Sequence, residues 1–286
     1  MKLTFLGTAA ANAFPEAFCN CANCQSARAA GGRSLRKRSA ALVNDDLLID
    51  LGPDIHAAAQ MHGHPLTGVR YCLQTHGHAD HLDASHLLSR SPAYGVEGAP
   101  RLHLYASAAT AQRAAWQLER DTAPGTLFDP EVGDRLNIEI HVIEALRPFD
   151  AGPYRVTPFP ANHDPSVEPL LYAVESDGRS FLYGTDTAAL PETTWHALRQ
   201  SGLRFDLVIL DHTYGHQCDP QPDHMTAREM LAHVTRMRAE GLLKPTGRAF
   251  ATHIAHDCNP AHEELAALAS RQGYEVAYDG LTAQAG

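Results

Sequence analysis

The sequence predicts an α/β fold in which two β-sheets pack face to face with helices outside them, a four-layer α/β/β/α sandwich. Short apolar strands cluster in two separate halves of the chain, and helical segments follow strands in each half. The chain has 286 residues, of which 44% are hydrophobic, so it is long enough to bury a substantial core. We therefore expect a single domain that spans residues 1–286.

The first half is predicted to contain strands in KLTFLG (2–7), in the two arms of ALVNDDLLIDLG (41–52), in VRYCLQ (69–74) and in RLHLYA (101–106). Helical patterns occupy ASHLLSR (84–90) and residues 108–118. The polar stretch 121–135 contains Pro and Gly, so we predict a connector or lid there.

The second half is predicted to contain strands in NIEIHVIEAL (137–146), YRVTPFPA (154–161), the arms of a hairpin that turns at Asp177-Gly178, FDLVILD (205–211), RAFATH (248–253) and YEVAYDG (274–280). Helices are expected over residues 191–200 and after Asn259-Pro260. Thr226 and Glu229 match a capping box that opens a helix running to about Ala239.

Composition narrows the class of partner. Lys and Arg number 23 against 33 Asp and Glu, a net charge of −10, so no broad cationic surface is available for a nucleic acid polymer. A small-molecule substrate is expected instead. No apolar run reaches membrane-spanning length and Met1 leads directly into a strand without a signal-peptide pattern, so we expect a soluble, cytoplasmic protein with no membrane partner.

The segment THGHADHL (75–82) constrains function most tightly, because it places His76, His78, Asp80 and His81 within six residues. Imidazole and carboxylate ligands together suit Zn²⁺, Mn²⁺ or Fe²⁺. Four ligands on so short a loop cannot all reach one ion, so two adjacent metals are predicted.

Three further ligand-type residues each follow an apolar strand, where side chains of a sandwich converge on one edge. They are His163 after YRVTPFPAN, Asp186 after RSFLYGT and His253 after RAFAT. These complete a set of seven predicted ligands. Eleven other histidines lack such support and are interpreted as structural or surface residues: His56, His62, His64, His86, His103, His141, His196, His212, His216, His233 and His262.

The motif His-X-His-X-Asp-His, followed by a later His, an Asp in Gly-Thr-Asp-Thr and a final Thr-His, resembles the metallo-β-lactamase superfamily over nearly the whole chain. The resemblance implies one metal site formed by His76, His78 and His163, a second formed by Asp80, His81 and His253, and Asp186 bridging the two. It also implies that a bridging hydroxide is the nucleophile and that Asp80 is catalytic, since it binds metal and orients that hydroxide.

Cys19, Cys21 and Cys24 form the cluster CNCANC, and three close thiolates favour a structural Zn²⁺ in a loop at about residues 19–24. From the residues alone, the fourth ligand is either Cys258 or His256. The cluster paired with His in Thr-His-Ile-X-His resembles the superfamily's phosphodiesterase branch, typified by phosphoribosyl cyclic phosphate phosphodiesterases (the PhnP branch), which implies His256. Cysteines elsewhere, at positions 72, 218 and 258, are expected to be free thiols.

His224, in PDHMT just before the capped helix, resembles a catalytic histidine of that phosphodiesterase branch. An imidazolium there would stabilise developing charge and protonate a leaving alkoxide. The sequence therefore favours a phosphodiesterase acting on a small cyclic phosphodiester, of the ribose cyclic phosphate or cyclic nucleotide type. Arg90 and Tyr214 are candidate contacts to a phosphate or sugar.

Other functions of the same superfamily stay open. Phe14-Pro15 before Cys19 resembles pyrroloquinoline quinone biosynthesis protein B, a cofactor-biosynthesis protein, while lactonases and thiolesterases share the metal ligands. A metal-stabilised binding module without catalysis is the third class. Relatives commonly form dimers, so a homodimer is compatible with the sequence, although no residue identifies an interface.

Overall fold

The computed structural model describes residues 1–286 and contains two seven-stranded mixed β-sheets. In spatial order the first sheet consists of β14 (Thr282–Gln284), β1 (Lys2–Gly7), β2 (Ala40–Val43), β3 (Leu47–Ile49), β4 (Tyr71–Leu73), β5 (Leu102–Ala106) and β6 (Ile138–Val142). The second consists of β13 (Glu275–Val276), β12 (Leu243–Thr252), β11 (Phe205–Asp211), β10 (Arg179–Gly184), β9 (Leu170–Ser176), β8 (Tyr154–Pro160) and β7 (Phe149–Ala151).

Nine α-helices flank the sheets. They are α1 (Ala22–Ala30), α2 (Ile55–His62), α3 (Ser85–Ser89), α4 (Ala108–Gln117), α5 (Glu119–Thr122), α6 (Pro130–Leu136), α7 (Glu192–Gln200), α8 (Ala227–Ala239) and α9 (His262–Gln272). None of these helices has the length and apolar character needed to cross a lipid bilayer.

Three apolar layers hold the sandwich together. The inner faces of the two sheets pack on each other, with the rings of Phe5 and Phe250 5.7 Å apart between centroids. The outer face of the first sheet packs on α2, α3, α4 and α6, while that of the second packs on α1, α7, α8 and α9. The predicted four-layer α/β/β/α sandwich is therefore confirmed.

Local signals predicted several element boundaries well. The hairpin at Asp177-Gly178 joins β9 to β10, with Ser176 paired to Arg179. The capping box is also present, because the Thr226 hydroxyl accepts from the Glu229 backbone N–H and the Glu229 carboxylate accepts from the Thr226 backbone N–H. Such signals act within four residues and need no tertiary information.

Other boundaries differ from the prediction. The segment 121–135 is a connector only over residues 123–129, since it also includes the end of α5 and most of α6, which Pro130 opens. The segment YEVAYDG pairs only over Glu275–Val276, and a turn with Gly280 in the left-handed region (φ 87°) returns the chain to form β14. Helix α1 was not predicted, because its N-cap is the side chain of Cys21 rather than a usual capping residue.

Candidate metal centre and active site

The ends of β4 and β8 bring three histidines together. His76 and His78 follow β4, and His163 follows β8 in the opposite sheet. The Nε2 atoms of His76 and His163 lie 3.1 and 3.2 Å from His78 Nδ1. Two nitrogen ligands of a tetrahedral ion, each at about 2.0–2.1 Å, are separated by about 3.3 Å. These three nitrogens therefore have the spacing expected of ligands to one ion.

A second cluster adjoins the first and consists of Asp80, His81, Asp186 and His253. Asp186 Oδ2 lies 2.6 Å from His81 Nε2 and 3.0 Å from His253 Nε2. Asp80 Oδ2 lies 3.0 Å from His81 Nε2. The other oxygen of Asp186, Oδ1, is 3.9 Å from His163 Nε2, so the two oxygens of this carboxylate face the two clusters.

Buried atoms without hydrogen bonds test whether these residues fit divalent cations. His81 Nε2, His253 Nε2 and Asp186 Oδ2 are all buried, and despite their short separations none of them makes a hydrogen bond of acceptable geometry. Leaving such atoms unpaired is costly, and a shared cation would satisfy all three at once. Asp186 and His253 also adopt left-handed backbone conformations (φ 50° and 58°), which are uncommon for residues other than glycine. The donor set fits a pair of divalent ions.

Asp50 orients two of the histidines. Its Oδ2 accepts a hydrogen bond from His81 Nδ1 at 2.7 Å, which leaves Nε2 of that ring for a metal. The Thr75 hydroxyl donates to Asp50 Oδ1 at 2.9 Å and can then accept from His76 Nδ1 at 3.1 Å. Asp50 is fully buried, so it holds both rings in the tautomer that ligation requires.

Asp211, at the end of β11 in the second sheet, orients the ring of His253 through the Thr213 hydroxyl. The Thr213 hydroxyl donates to Asp211 Oδ2 at 3.1 Å and accepts from His253 Nδ1 at 2.8 Å. His163 donates from Nδ1 to the carbonyl oxygen of Asp223 at 3.1 Å. The ring of His163 consequently directs its Nε2 toward the first cluster, and the ring of His253 directs its Nε2 toward the second.

His224 lies beside the second cluster and contacts the same carboxylate. Its Nδ1 is 2.9 Å from Asp211 Oδ2, and its ring stacks on that of His253 with centroids 5.2 Å apart. Burial alone would lower the pKa of His224, but the charge and hydrogen bond of Asp211 outweigh burial and hold this pKa above its usual value. An imidazole in this environment is a suitable proton donor.

The clusters open into a cavity of about 630 Å³, including space continuous with solvent. Its walls are formed by residues 10–13 of the N-terminal segment, by residues 255–257 after β12, and by Tyr214, Asp223 and His224. No lysine or arginine lines it. Any positive charge that binds an anionic substrate here must therefore come from the histidines that line the cavity, such as His224, or from bound cations.

A separate cysteine-rich cluster lies beside the N-terminal wall of the cavity and includes His256 of the opposite wall. Cys19, Cys21, Cys24 and His256 place one donor atom each within 4.8 Å of the others. Cys21 Sγ lies 3.8 Å from His256 Nδ1, close to the separation of about 3.6 Å for sulfur and nitrogen ligands of a tetrahedral zinc. The backbone N–H of Cys24 and the His256 ring lower the pKa of Cys21 to about 6, which favours the thiolate.

Comparison with known proteins agrees with this arrangement. Residues 46–254 match the family model of the beta-lactamase superfamily domain, which covers more than half of the chain. The chain belongs to the metallo-β-lactamase superfamily. This family implies divalent metal binding and a metal-dependent hydrolase. No curated protein matches the chain in sequence.

Solved structures of the superfamily align over almost the whole chain. One described as a new diphosphatase from the PhnP family is 25% identical, with a TM-score of 0.72, and covers 99% of this chain and 97% of its own. Zn²⁺-bound PqqB from Methylobacterium extorquens is 21% identical, with a TM-score of 0.70, and covers 99% and 100%. The short form of human tRNase Z is 16% identical, with a TM-score of 0.63, and covers 100% of both chains. The similarities to PqqB and to tRNase Z, at 21% and 16% identity, show a shared fold.

The two predicted substrate contacts differ in their placement. Tyr214 lines the cavity, its ring centroid lies 5.6 Å from that of His224, and its hydroxyl donates to Asp223 Oδ1 at 2.8 Å. Arg90 does not line this cavity. Arg90 is the C-cap residue of helix α3, and its guanidinium donates to the carbonyl oxygen of Pro100 beside a separate apolar pocket. The prediction that Arg90 contacts substrate in the metal centre is therefore wrong.

For two of the three cysteines outside the N-terminal cluster, the prediction of a free thiol is wrong. Cys218 and Cys258 form a disulfide, whereas Cys72 is a buried free thiol as predicted. The disulfide excludes Cys258 as the fourth ligand of the N-terminal cluster. It joins the loop that precedes His224 to the loop after β12, forty residues apart in the chain.

Sequence reasoning missed the carboxylates that orient the ligands. Asp50 and Asp211 each end an apolar strand segment, LLID and VILD. This is the position used to find His163, Asp186 and His253, so the same rule could have identified both. It could not have shown which histidine each carboxylate contacts.

Proposed function

We propose that the protein is a divalent-metal-dependent phosphodiesterase that cleaves a small phosphodiester, of the ribose cyclic phosphate or cyclic nucleotide type. The observation that carries the proposal is the position of His224. It lies against both metal-type clusters, lines the cavity, and is held by a buried carboxylate. Ring opening of a cyclic phosphodiester expels a basic alkoxide, which needs a proton donor, whereas a thioester expels a less basic thiolate that has little need of one.

The chain's own residues supply orientation and proton transfer. Asp80 and Asp186 direct carboxylate oxygens toward the second cluster. Asp50 and Asp211 fix the orientation of the rings of His81 and His224. Two divalent ions, when bound, would neutralise the phosphate oxygens and acidify a water molecule. His224 donates its proton to the leaving oxygen, and Asp211 stabilises its charged form until transfer.

Several proposed features concern binding rather than chemistry. We assign Zn²⁺ or Mn²⁺, with Fe²⁺ as an alternative, to the paired site, and a structural Zn²⁺ to the Cys19–Cys24 cluster with His256. The structural ion would hold the cavity wall at residues 10–13 in place. The acidic, arginine-free cavity supports a small substrate rather than a nucleic acid polymer.

A second candidate is a diphosphatase, which cleaves a phosphoanhydride instead of a phosphodiester. The PhnP-family diphosphatase favours it, because that enzyme is 25% identical over almost the whole chain. A phosphate leaving group is less basic than an alkoxide, so this reaction would depend less on His224.

A substrate panel tests the proposal. The protein loaded with Zn²⁺ or Mn²⁺ is incubated with ribose cyclic phosphates, cyclic nucleotides, nucleoside diphosphates, lactones and thioesters. We expect turnover of a cyclic phosphodiester and a loss of about 10²-fold or more in His224→Gln. Diphosphate cleavage alone would establish the second candidate, and activity confined to lactones or thioesters would overturn both.

A further inference from the structure

A further group of potential metal ligands lies at the edge of the first sheet, apart from the metal centre and the cysteine-rich cluster. His103 on β5 and Glu139 and His141 on β6 are on the same face of adjacent parallel strands. His103 is directly paired with Glu139, and His141 is two residues further along β6, so the three side chains converge. β6 is the edge strand of its sheet, which leaves this face accessible.

The donor atoms have the spacing of ligands to one ion. His103 Nδ1 lies 3.0 Å from His141 Nε2 and 3.5 Å from Glu139 Oε2, while His141 Nε2 lies 3.7 Å from Glu139 Oε1. A tetrahedral ion with metal–ligand bonds of about 2.0–2.2 Å separates its ligands by about 3.3–3.6 Å. The distance of 3.5 Å falls within that range, while those of 3.0 and 3.7 Å need shifts of only a few tenths of an ångström.

Aromatic stacking holds both rings in place before any ion binds. The ring of His141 stacks on Tyr105 with centroids 4.5 Å apart, and Tyr105 stacks on Phe149 at 4.7 Å. On the other side, His103 stacks on Tyr71 at 5.9 Å. Because these rotamers are already restricted, little conformational entropy is lost on ligation.

Two features limit the affinity. Arg101 Nε lies 3.7 Å from Glu139 Oε2, although its Nη1 is engaged by Asp134 at 2.8 Å. Each of the three ligand side chains is also partly exposed, with 31% of both imidazoles and 48% of the carboxylate accessible. The site therefore has three protein ligands and remains open to water or a further ligand.

We propose that His103, Glu139 and His141 form an additional binding site for a borderline divalent cation such as Zn²⁺, Ni²⁺ or Cu²⁺. Two imidazoles and one carboxylate are the ligand types that these ions accept. The inference is independent of the phosphodiesterase proposal, because it uses none of the residues of the metal centre.

Zinc counting tests the site. The metal-loaded protein is dialysed against rising concentrations of buffered free Zn²⁺, and bound zinc per chain is measured by mass spectrometry. His103→Gln/His141→Gln is compared with the wild type and with His64→Gln/His196→Gln, which removes two histidines that belong to no ligand cluster. We expect the wild type and the control to bind one zinc more than the His103 and His141 variant, with hydrolytic activity equal in all three.

Glu139→Gln provides a second measurement that does not depend on the folding of the double variant, since this side chain is half-exposed. We expect it to raise the zinc concentration for half-saturation of the additional site at least about tenfold, through loss of a charged ligand. An equal zinc count in the wild type and His103→Gln/His141→Gln overturns the proposal. An unchanged half-saturation in Glu139→Gln overturns the three-ligand assignment.

Discussion

Replacing His224 by Gln is expected to slow hydrolysis to an extent that depends on the leaving group. Gln retains an N–H that can donate to Asp211, so the loop keeps its main contact, but it cannot transfer a proton. A phosphodiester that expels a basic alkoxide needs that proton, whereas one that expels p-nitrophenolate leaves readily without it.

The expected magnitude follows from how firmly His224 is held. Its Nδ1 lies 2.9 Å from Asp211 Oδ2, and only 12% of the side chain is exposed. A positioned acid of this kind contributes about 10²–10⁴-fold, or about 3–5 kcal/mol of the barrier. We expect a fall in kcat of about 10³-fold for an alkyl phosphodiester and of less than about tenfold for bis(p-nitrophenyl) phosphate.

The assay compares kcat for both substrates at saturating metal, with metal content measured for each variant. His216→Gln is the matched control, because His216 lies on the same loop but does not line the cavity. Its activity should match the wild type on both substrates. Equal losses on the two substrates in His224→Gln, or unchanged turnover of the alkyl phosphodiester, would refute proton donation by His224.

Three further predictions concern ligation and stability. Asp50→Asn should weaken metal binding about 10–100-fold in chelator competition, because it releases the His81 ring, and unchanged affinity would contradict this role. Cys21→Ser should lower total bound metal by one ion per chain; a wild type and variant that both hold two ions would exclude the structural zinc. Burial raises the folded-state pKa of Asp279 to about 6, above the value in the unfolded chain. The unfolding free energy of the wild type should therefore fall relative to that of Asp279→Asn as pH rises from about 4 through 6, by up to about 3 kcal/mol. Chemical denaturation at pH 4 and pH 7 measures it, and a pH-independent difference would show that Asp279 is not the titrating group.

The prediction of Arg90 shows where sequence reasoning fails. Arg90 lies eight residues after Leu82, the end of the histidine loop, and on a helix that follows it, so proximity along the chain suggested proximity to the metals. Arg90 is instead the C-cap residue of helix α3, and its guanidinium donates to the carbonyl oxygen of Pro100. The direction of a long side chain depends on helix packing, which the local pattern does not encode.

The disulfide between Cys218 and Cys258 also could not be predicted from the local sequence, because its cysteines are forty residues apart. Cys218 and Cys258 have no mutual signal in the sequence, and only the approach of two loops beside β11 and β12 brings their Cα atoms to 5.2 Å. Likewise, His103, Glu139 and His141 became a candidate site only because β5 and β6 pair in a register that places them side by side.

The sequence by itself determined the ligand types, their positions at strand ends and the four-layer fold, because these depend on local spacing and on the alternation of strands and helices. The tertiary structure decided which ring nitrogens face the metal-type clusters, which carboxylates orient them, and that His224 shares Asp211 with the ligand shell. These relations join β3, β4, β11 and β12 across two sheets. They depend on distances of about 3 Å between residues far apart in the chain, and such distances exist only once both sheets are packed.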